Sequence, residues 1–208
     1  MSEPIVILGC GGHGREIWGI IDAINERAGG SWSVLGFLDD APSETNLQRL
    51  KRLRASYLGP ISELPSLTAN YVIGVGDPQV RARIAARVCG VAGRLIHPDA
   101  TVGLDCVLGE GVVLFPGSRV TTNVTLGRHV HLNQNATVGH DSVLADFVQV
   151  NPLAAVSGDC RVGDRSLIGT TAAVLQGLEV GAGAKVGAGA CVVCDIPPGV
   201  VVKGVPAR

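Results

Sequence analysis

Residues 125–144 read TLGRHVHLNQNATVGHDSVL, and within them Leu126, Leu132, Val138 and Leu144 stand six apart. Followed outward in both directions, the same register places a branched apolar residue at every sixth position from Ile96 to Val192, seventeen in succession. A second register, four places after the first, is nearly all small: Ser118, Ala136, Ser142, Ala154, Cys160, Ser166, Ala172, Ala184 and Ala190 fall on it. A period of six matches neither the 3.6 of a helix nor the 2 of a lone strand, but it suits a strand and a tight turn repeated around a solenoid. Three hexads then make one triangular coil, with the branched residues stacked inward. Glycine at the second place of many hexads (Gly103, Gly109, Gly127, Gly139, Gly163, Gly169, Gly181, Gly187) is expected to supply the backbone freedom of the corners.

Composition agrees with a narrow, regular interior. The chain has 208 residues with 29 glycines and only 3% aromatics, so small aliphatic side chains must fill the core. Seventeen Lys+Arg against eighteen Asp+Glu leave a net charge of −1, with no electrostatic footprint for nucleic acid or an anionic membrane. The longest apolar runs, such as Tyr71 to Val75, are far too short to span a bilayer, and no basic start precedes a cleavable apolar stretch. A cytoplasmic protein is expected, with Cys10, Cys89, Cys106, Cys160, Cys191 and Cys194 as unpaired thiols. Cys191 and Cys194 form a CxxC, but no second pair or nearby His completes a metal site.

Ahead of the solenoid, Ile5 to Leu8 form an apolar strand followed by Gly9-Cys10-Gly11-Gly12-His13-Gly14 and a helical stretch through about Arg27. Strand, glycine loop and helix are the elements of a phosphate-binding turn, and the loop matches G-x-G-x-x-G. A second strand, Ser33 to Leu38, ends in Asp39-Asp40, placed to accept from ribose hydroxyls or a base edge. A third, Tyr71 to Val75, leads into Gly76-Asp77, with a helix over Val80 to Val88. The reading is an α/β half-Rossmann-like domain over 1–95 and a β-helix over 96–208. Ninety-five residues hold one mononucleotide-binding half, not the two that clamp a dinucleotide, which argues against a nicotinamide enzyme.

The hexad register resembles the left-handed parallel β-helix of the hexapeptide-repeat acyltransferases, which implies a homotrimer with acyl-CoA bound between neighbouring β-helices. The combination with the first half is similar to a narrower group, the bacterial sugar acetyltransferases related to the sialic acid O-acetyltransferases and the UDP-4-amino-sugar N-acetyltransferases of bacillosamine and perosamine biosynthesis. Its marks are Gly11-Gly12-His13-Gly14, Phe37-Leu38-Asp39-Asp40, Val75-Gly76-Asp77 with Arg81, Asn133 seven residues before His140-Asp141, and the closing Gly204-Val205-Pro206-Ala207-Arg208. The resemblance implies acetyl-CoA as co-substrate and a nucleotide-linked amino sugar as acceptor. Gly11, Gly12, His13, Asp39, Asp40 and Gly76 would hold the nucleotide part; Gln149, Gly158, Thr170 and Ala188 would contact the donor. Gln149 departs from the pattern, because many relatives carry a histidine there. Lys185 and Lys203 are candidates for the CoA phosphates.

Five histidines are present: His13, His97, His129, His131 and His140. No two stand five apart, the spacing of zinc-binding solenoid enzymes, so no metal is expected. His140, third in its hexad, sits at a corner facing away from the interior. Imidazole suits removal of a proton from an attacking amine at neutral pH, and the resemblance gives the matching residue that role. Asp141 would hold its tautomer, although adjacent residues do not easily bond each other. Asn133 either orients His140 or the substrate, or stacks in a ladder with Asn151. The expected reaction is direct N-acetylation of the amino sugar. Its alternatives are O-acetylation of a sugar hydroxyl and a non-catalytic trimeric scaffold that binds a nucleotide sugar.

Overall fold

The computed structural model describes residues 2–208. They form two compact units, one ending at His97 and the other spanning Pro98–Arg208.

In the first unit the order is β1 (Glu3–Leu8), α1 (Gly12–Ala28), β2 (Trp32–Leu38), α2 (Glu44–Arg52), β3 (Tyr57–Gly59), a 3₁₀ turn over Ile61–Ser66, β4 (Asn70–Ile73) and α3 (Pro78–Ala85). The parallel sheet runs β3-β2-β1-β4, the strand order of the first half of a doubly wound fold. β1 lies between two neighbours, which is why Ile5, Val6, Ile7 and Leu8 are all apolar and fully buried. Ile17, Ile20 and Ile21 give α1 its buried stripe, and Gly29 closes it in a left-handed conformation, donating to Asn25 O. Helix α1 begins inside the glycine loop, at Gly12, so His13 and Gly14 belong to its first turn. The sequence reading passed over α2 and β3. Ser43 caps α2 by accepting from Asn46 N.

The second unit is a triangular solenoid of two-residue parallel strands in three sheets. One passes through Thr137–Val138, one through Val143–Leu144 and one through Gln149–Val150. Thr137 pairs with Ala155, Val143 with Arg161 and Gln149 with Leu167, so one coil is eighteen residues, as the hexads require. From Leu114 to Val192 every residue of the inward register is at most 2% exposed.

The role expected of the second-place glycines is corrected. None of them has a positive φ; a Cβ on Gly103, Gly109, Gly127, Gly139, Gly163, Gly169 or Gly181 would instead lie 2.1–2.7 Å from an atom of the next coil. These glycines let coils stack at backbone distance. The left-handed residue of each corner is the fourth of its hexad, with φ between 53° and 76° from Asp105 to Gly189. Asn, Asp and Gly hold most of these positions, the residues that tolerate that conformation at least cost.

Candidate functional site

In the first unit the glycine loop is braced from several sides. Gly9 takes φ 106° and donates to Leu38 O. A Cβ on Gly14 would lie 2.0 Å from Gly9 O, and one on Gly74 would lie 2.6 Å from Gly14 Cα, so these two glycines exist for close packing. Gly11 and Gly12 are different. A Cβ on Gly11 would meet nothing within 4 Å, and on Gly12 only an Arg15 nitrogen at 3.9 Å. Bare backbone at the start of α1 therefore faces open space, with no side chain capping it.

Asp39, at the end of β2, accepts from Cys10 N at 2.9 Å and Cys10 Sγ at 3.1 Å through Oδ2, and from Ala41 N through Oδ1. It shapes the loop. Burial, together with the Asp39 carboxylate, pushes the Cys10 thiol up to about 12, so it is no nucleophile. Asp40 accepts from Ile61 N and pairs with Arg87 at 2.8 Å; both partners hold it below the usual carboxylate range, the Ile61 hydrogen bond most. Both carboxylates assigned to a ligand on sequence grounds thus have partners within the unit.

The role of Arg81, named above only as a mark of the family, and the arginines beside α1 escaped the sequence reading. Arg81 is fully buried and donates to Val75 O at 2.8 Å and Gly76 O at 3.2 Å, holding the loop after β4. Arg15 donates to Cys10 O and to Asn46 Oδ1, and with Gly12, Glu16, Arg49 and Arg52 lines a cavity of about 450 Å³ at the start of α1. None of these three arginines is ion-paired among the described residues. The spacing of Arg49 and Arg52 showed nothing, because α2 itself was not read.

His13 lies on the first turn of α1, with Gly76 over its ring: a Cβ there would stand 3.6 Å from Nδ1. Burial, and then the Arg81 guanidinium, lower its pKa from 6.5 to about 3, so it meets a ligand as a neutral imidazole. The unfolded chain binds this proton near 6.5 and the folded unit only near 3. The stabilisation is therefore complete above about pH 6.5 and is lost as pH falls through that window. Thermal denaturation across that range is expected to show this slope, and His13→Asn to flatten it. An unchanged slope in the variant would assign it to other groups.

In the second unit His140 and Asp141 form the corner after Val138. Their side chains bond directly, His140 Nδ1 to Asp141 Oδ2 at 2.6 Å, against the expectation that neighbours do not easily meet. The left-handed backbone of Asp141, φ 62°, turns its carboxylate back onto the preceding ring. The other oxygen, Oδ1, accepts from Asn123 Nδ2 at 2.7 Å. Asn123, first of the two, and His140 hold Asp141 in its ionised form. An ionised carboxylate only accepts, so the bond places the imidazole proton on Nδ1 and leaves the Nε2 lone pair available. Gly158, one coil on, lies under the ring: a Cβ there would be 2.5 Å from His140 Nε2.

The remaining site residues lie elsewhere on the triangle. Asn133, Thr170 and Ala188 stand at the corner that follows the Gln149–Val150 sheet, one side of the triangle away from His140. Asn133 is buried, its Oδ1 has no hydrogen-bond partner among the described residues, and in this chain the partner of His140 is Asp141, not Asn133. Gln149 is buried in register with His131. His129 is buried and stacks on Phe147, with ring centroids 5.2 Å apart. Thr170 and Ala188 are exposed. All six cysteines are free, and no helix among the described residues is long and apolar enough to cross a membrane.

Residues 4–88 match the PglD N-terminal domain family. A curated relative, UDP-N-acetylbacillosamine N-acetyltransferase of Bacillus subtilis (strain 168), is 32% identical over 121 residues, which are 54% of this chain and about half, 51%, of that protein. The acetyltransferase domain of PglB from Neisseria gonorrhoeae FA1090 superposes with a TM-score of 0.85 at 32% identity, over 100% of this chain and 99% of that one; a structure of that domain in complex with acetyl coenzyme A gives 0.83 at 31%, with the same coverage. PerB from Caulobacter crescentus, in complex with CoA and GDP-perosamine, gives 0.85 at 29%, over 99% and 96%. The chain belongs to this family of sugar acetyltransferases, in which a PglD-type domain precedes a left-handed β-helix of hexapeptide repeats.

Proposed function

We propose that the protein transfers the acetyl group of acetyl-CoA to the amino group of a nucleotide-linked sugar, with His140 as general base. The observation that carries this is the His140 ring, oriented by Asp141 so that Nε2 is free, on the solenoid of a sugar acetyltransferase family. The amine lone pair attacks the thioester carbonyl, Nε2 takes the amine proton, the C–S bond breaks, and the proton passes to the departing CoA thiolate. Gly158 N makes no hydrogen bond among the described residues and lies beside the ring; it is suited to receive the developing oxyanion.

The nucleotide part sits at the open backbone of Gly11 and Gly12. Neutral His13 and Gly76 flank it, Asp39 and Asp40 shape it, and the guanidinium groups of Arg15, Arg49 and Arg52, which form no ion pair among the described residues, stand near its phosphates. The donor runs along Gln149, Gly158, Thr170 and Ala188, with Asn133 near the reacting groups. Gln149 lies on a strand and the others are divided between two corners of one solenoid, and a cleft between copies in a homotrimer brings two different corners together. Acetyl-CoA and nucleotide sugars place the work in the cytoplasm, where the six thiols stay reduced.

The test is CoA release from acetyl-CoA, followed by a thiol reagent, with a panel of UDP-, dTDP- and GDP-linked amino sugars and their hydroxyl counterparts. Turnover with one amino sugar and not with its hydroxyl analogue is the expected result. Binding of a nucleotide sugar without turnover of any acceptor would overturn the reading in favour of a scaffold.

A further inference from the structure

We propose that Asn123 is a positioning residue for the reaction: it holds the Asp141 carboxylate in the one orientation that fixes the His140 tautomer. The inference rests on His140 as the base and adds a third member from the preceding coil. Asn123 stands eighteen residues before Asp141, so their fourth-place corners stack, and adjacent strands lie only about 4.8 Å apart. Both residues are left-handed, with φ 55° and 62°, which sends both side chains out along one column of the corner. The column reads Asp105, Asn123, Asp141, Asp159.

Within this column only Asn123 offers a hydrogen-bond donor, and it adjoins the carboxylate that holds the imidazole, with Nδ2 to Asp141 Oδ1 at 2.7 Å and Asp141 Oδ2 to His140 Nδ1 at 2.6 Å. The two oxygens of Asp141 are thus divided between one donor and one imidazole. Without the amide, the exposed carboxylate is free to turn about its side-chain bonds, and the imidazole loses the fixed acceptor that keeps its proton on Nδ1. A carboxylate at 123 does more damage, since it replaces a donor by an acceptor of like charge.

The experiment uses two variants of the full chain. Asn123→Gly tolerates φ 55° and removes the donor, whereas Asn123→Asp keeps the shape and reverses the polarity. For each, the His140 tautomer is read from its ring ¹⁵N shifts, and kcat and KM are measured with the acceptor that turns over best. The acidic side chains of this corner column are Asp105, Asp141 and Asp159, the last donating its backbone N–H to His140 O, and Cys160 lies in the adjoining coil with its thiol on Gly158 O. Expected are a loss of the Nδ1–H form in both variants and a fall in kcat of roughly 10-fold, larger in Asn123→Asp, with both KM values held. In Asn123→Asp the acid limb of the kcat/KM profile should also move to higher pH, because a second negative charge favours imidazolium. Unchanged tautomer and kcat, or a lowered melting temperature alone, would overturn the proposal. The tautomer reading needs no substrate, so it stands or falls separately from the choice of reaction.

Discussion

Replacement of His140 by alanine is expected to lower kcat for acetyl transfer by roughly 10²–10⁴-fold, the usual range for removal of a general base, with both KM values nearly unchanged. Fold and assembly should survive, because the ring is half-exposed, its side chain at 51%, and its partner is a polar corner residue, not the core. Melting temperature and the oligomeric state in solution are the controls. A nucleotide sugar should still bind, since the residues assigned to it lie in the other unit. Turnover equal to that of the unaltered enzyme would remove His140 from the chemistry. It would also leave the amine to lose its proton to solvent. Asp141→Asn should fall between the two extremes: the amide still occupies the space and still meets Asn123, but it presents no charge to an imidazolium forming on Nδ1.

The repeat was legible because a solenoid repeats its constraint: each inward position meets the same geometry every six residues, so the pattern survives at every coil. What each glycine does was not legible, because the residue type alone does not say which place of the hexad needs a positive φ and which needs a missing Cβ. Gly139 and Gly111 look alike in sequence, yet one lets the next coil approach and the other adopts φ 66°. In the first unit the loop and the ends of β2 and β4 could be read from glycines and carboxylates next to apolar runs. Helix α2, with polar residues such as Gln48, Arg49 and Arg52 around one buried Leu50, offered no such contrast, and its arginines went unseen with it. His140 and Asp141 were visible as a motif. Their bond was not, since it depends on the left-handed corner, and Asn123 was not, since its partner is a coil away.

Gly158 separates two ways in which a residue can serve the donor. If it only contacts acetyl-CoA, Gly158→Ala should raise KM for the donor and leave kcat alone. The structure predicts otherwise, because the added methyl would stand 2.5 Å from His140 Nε2 and 2.6 Å from Cε1, closer than any real contact. The obstacle is the end of a half-exposed side chain, so the ring gives way and the backbone stays. Gly158 has no positive φ, so alanine brings no strain of its own. A ring that swings aside breaks its 2.6 Å bond to Asp141 and carries Nε2 away from the amide beside it. The expected loss is about 10²-fold in kcat with little change in melting temperature, the scale on which a displaced catalytic group fails. Combining Gly158→Ala with His140→Ala gives the decisive comparison. If both changes act through the same ring, the double variant should be no slower than His140→Ala alone; if Gly158 acts through the donor, the two losses should multiply.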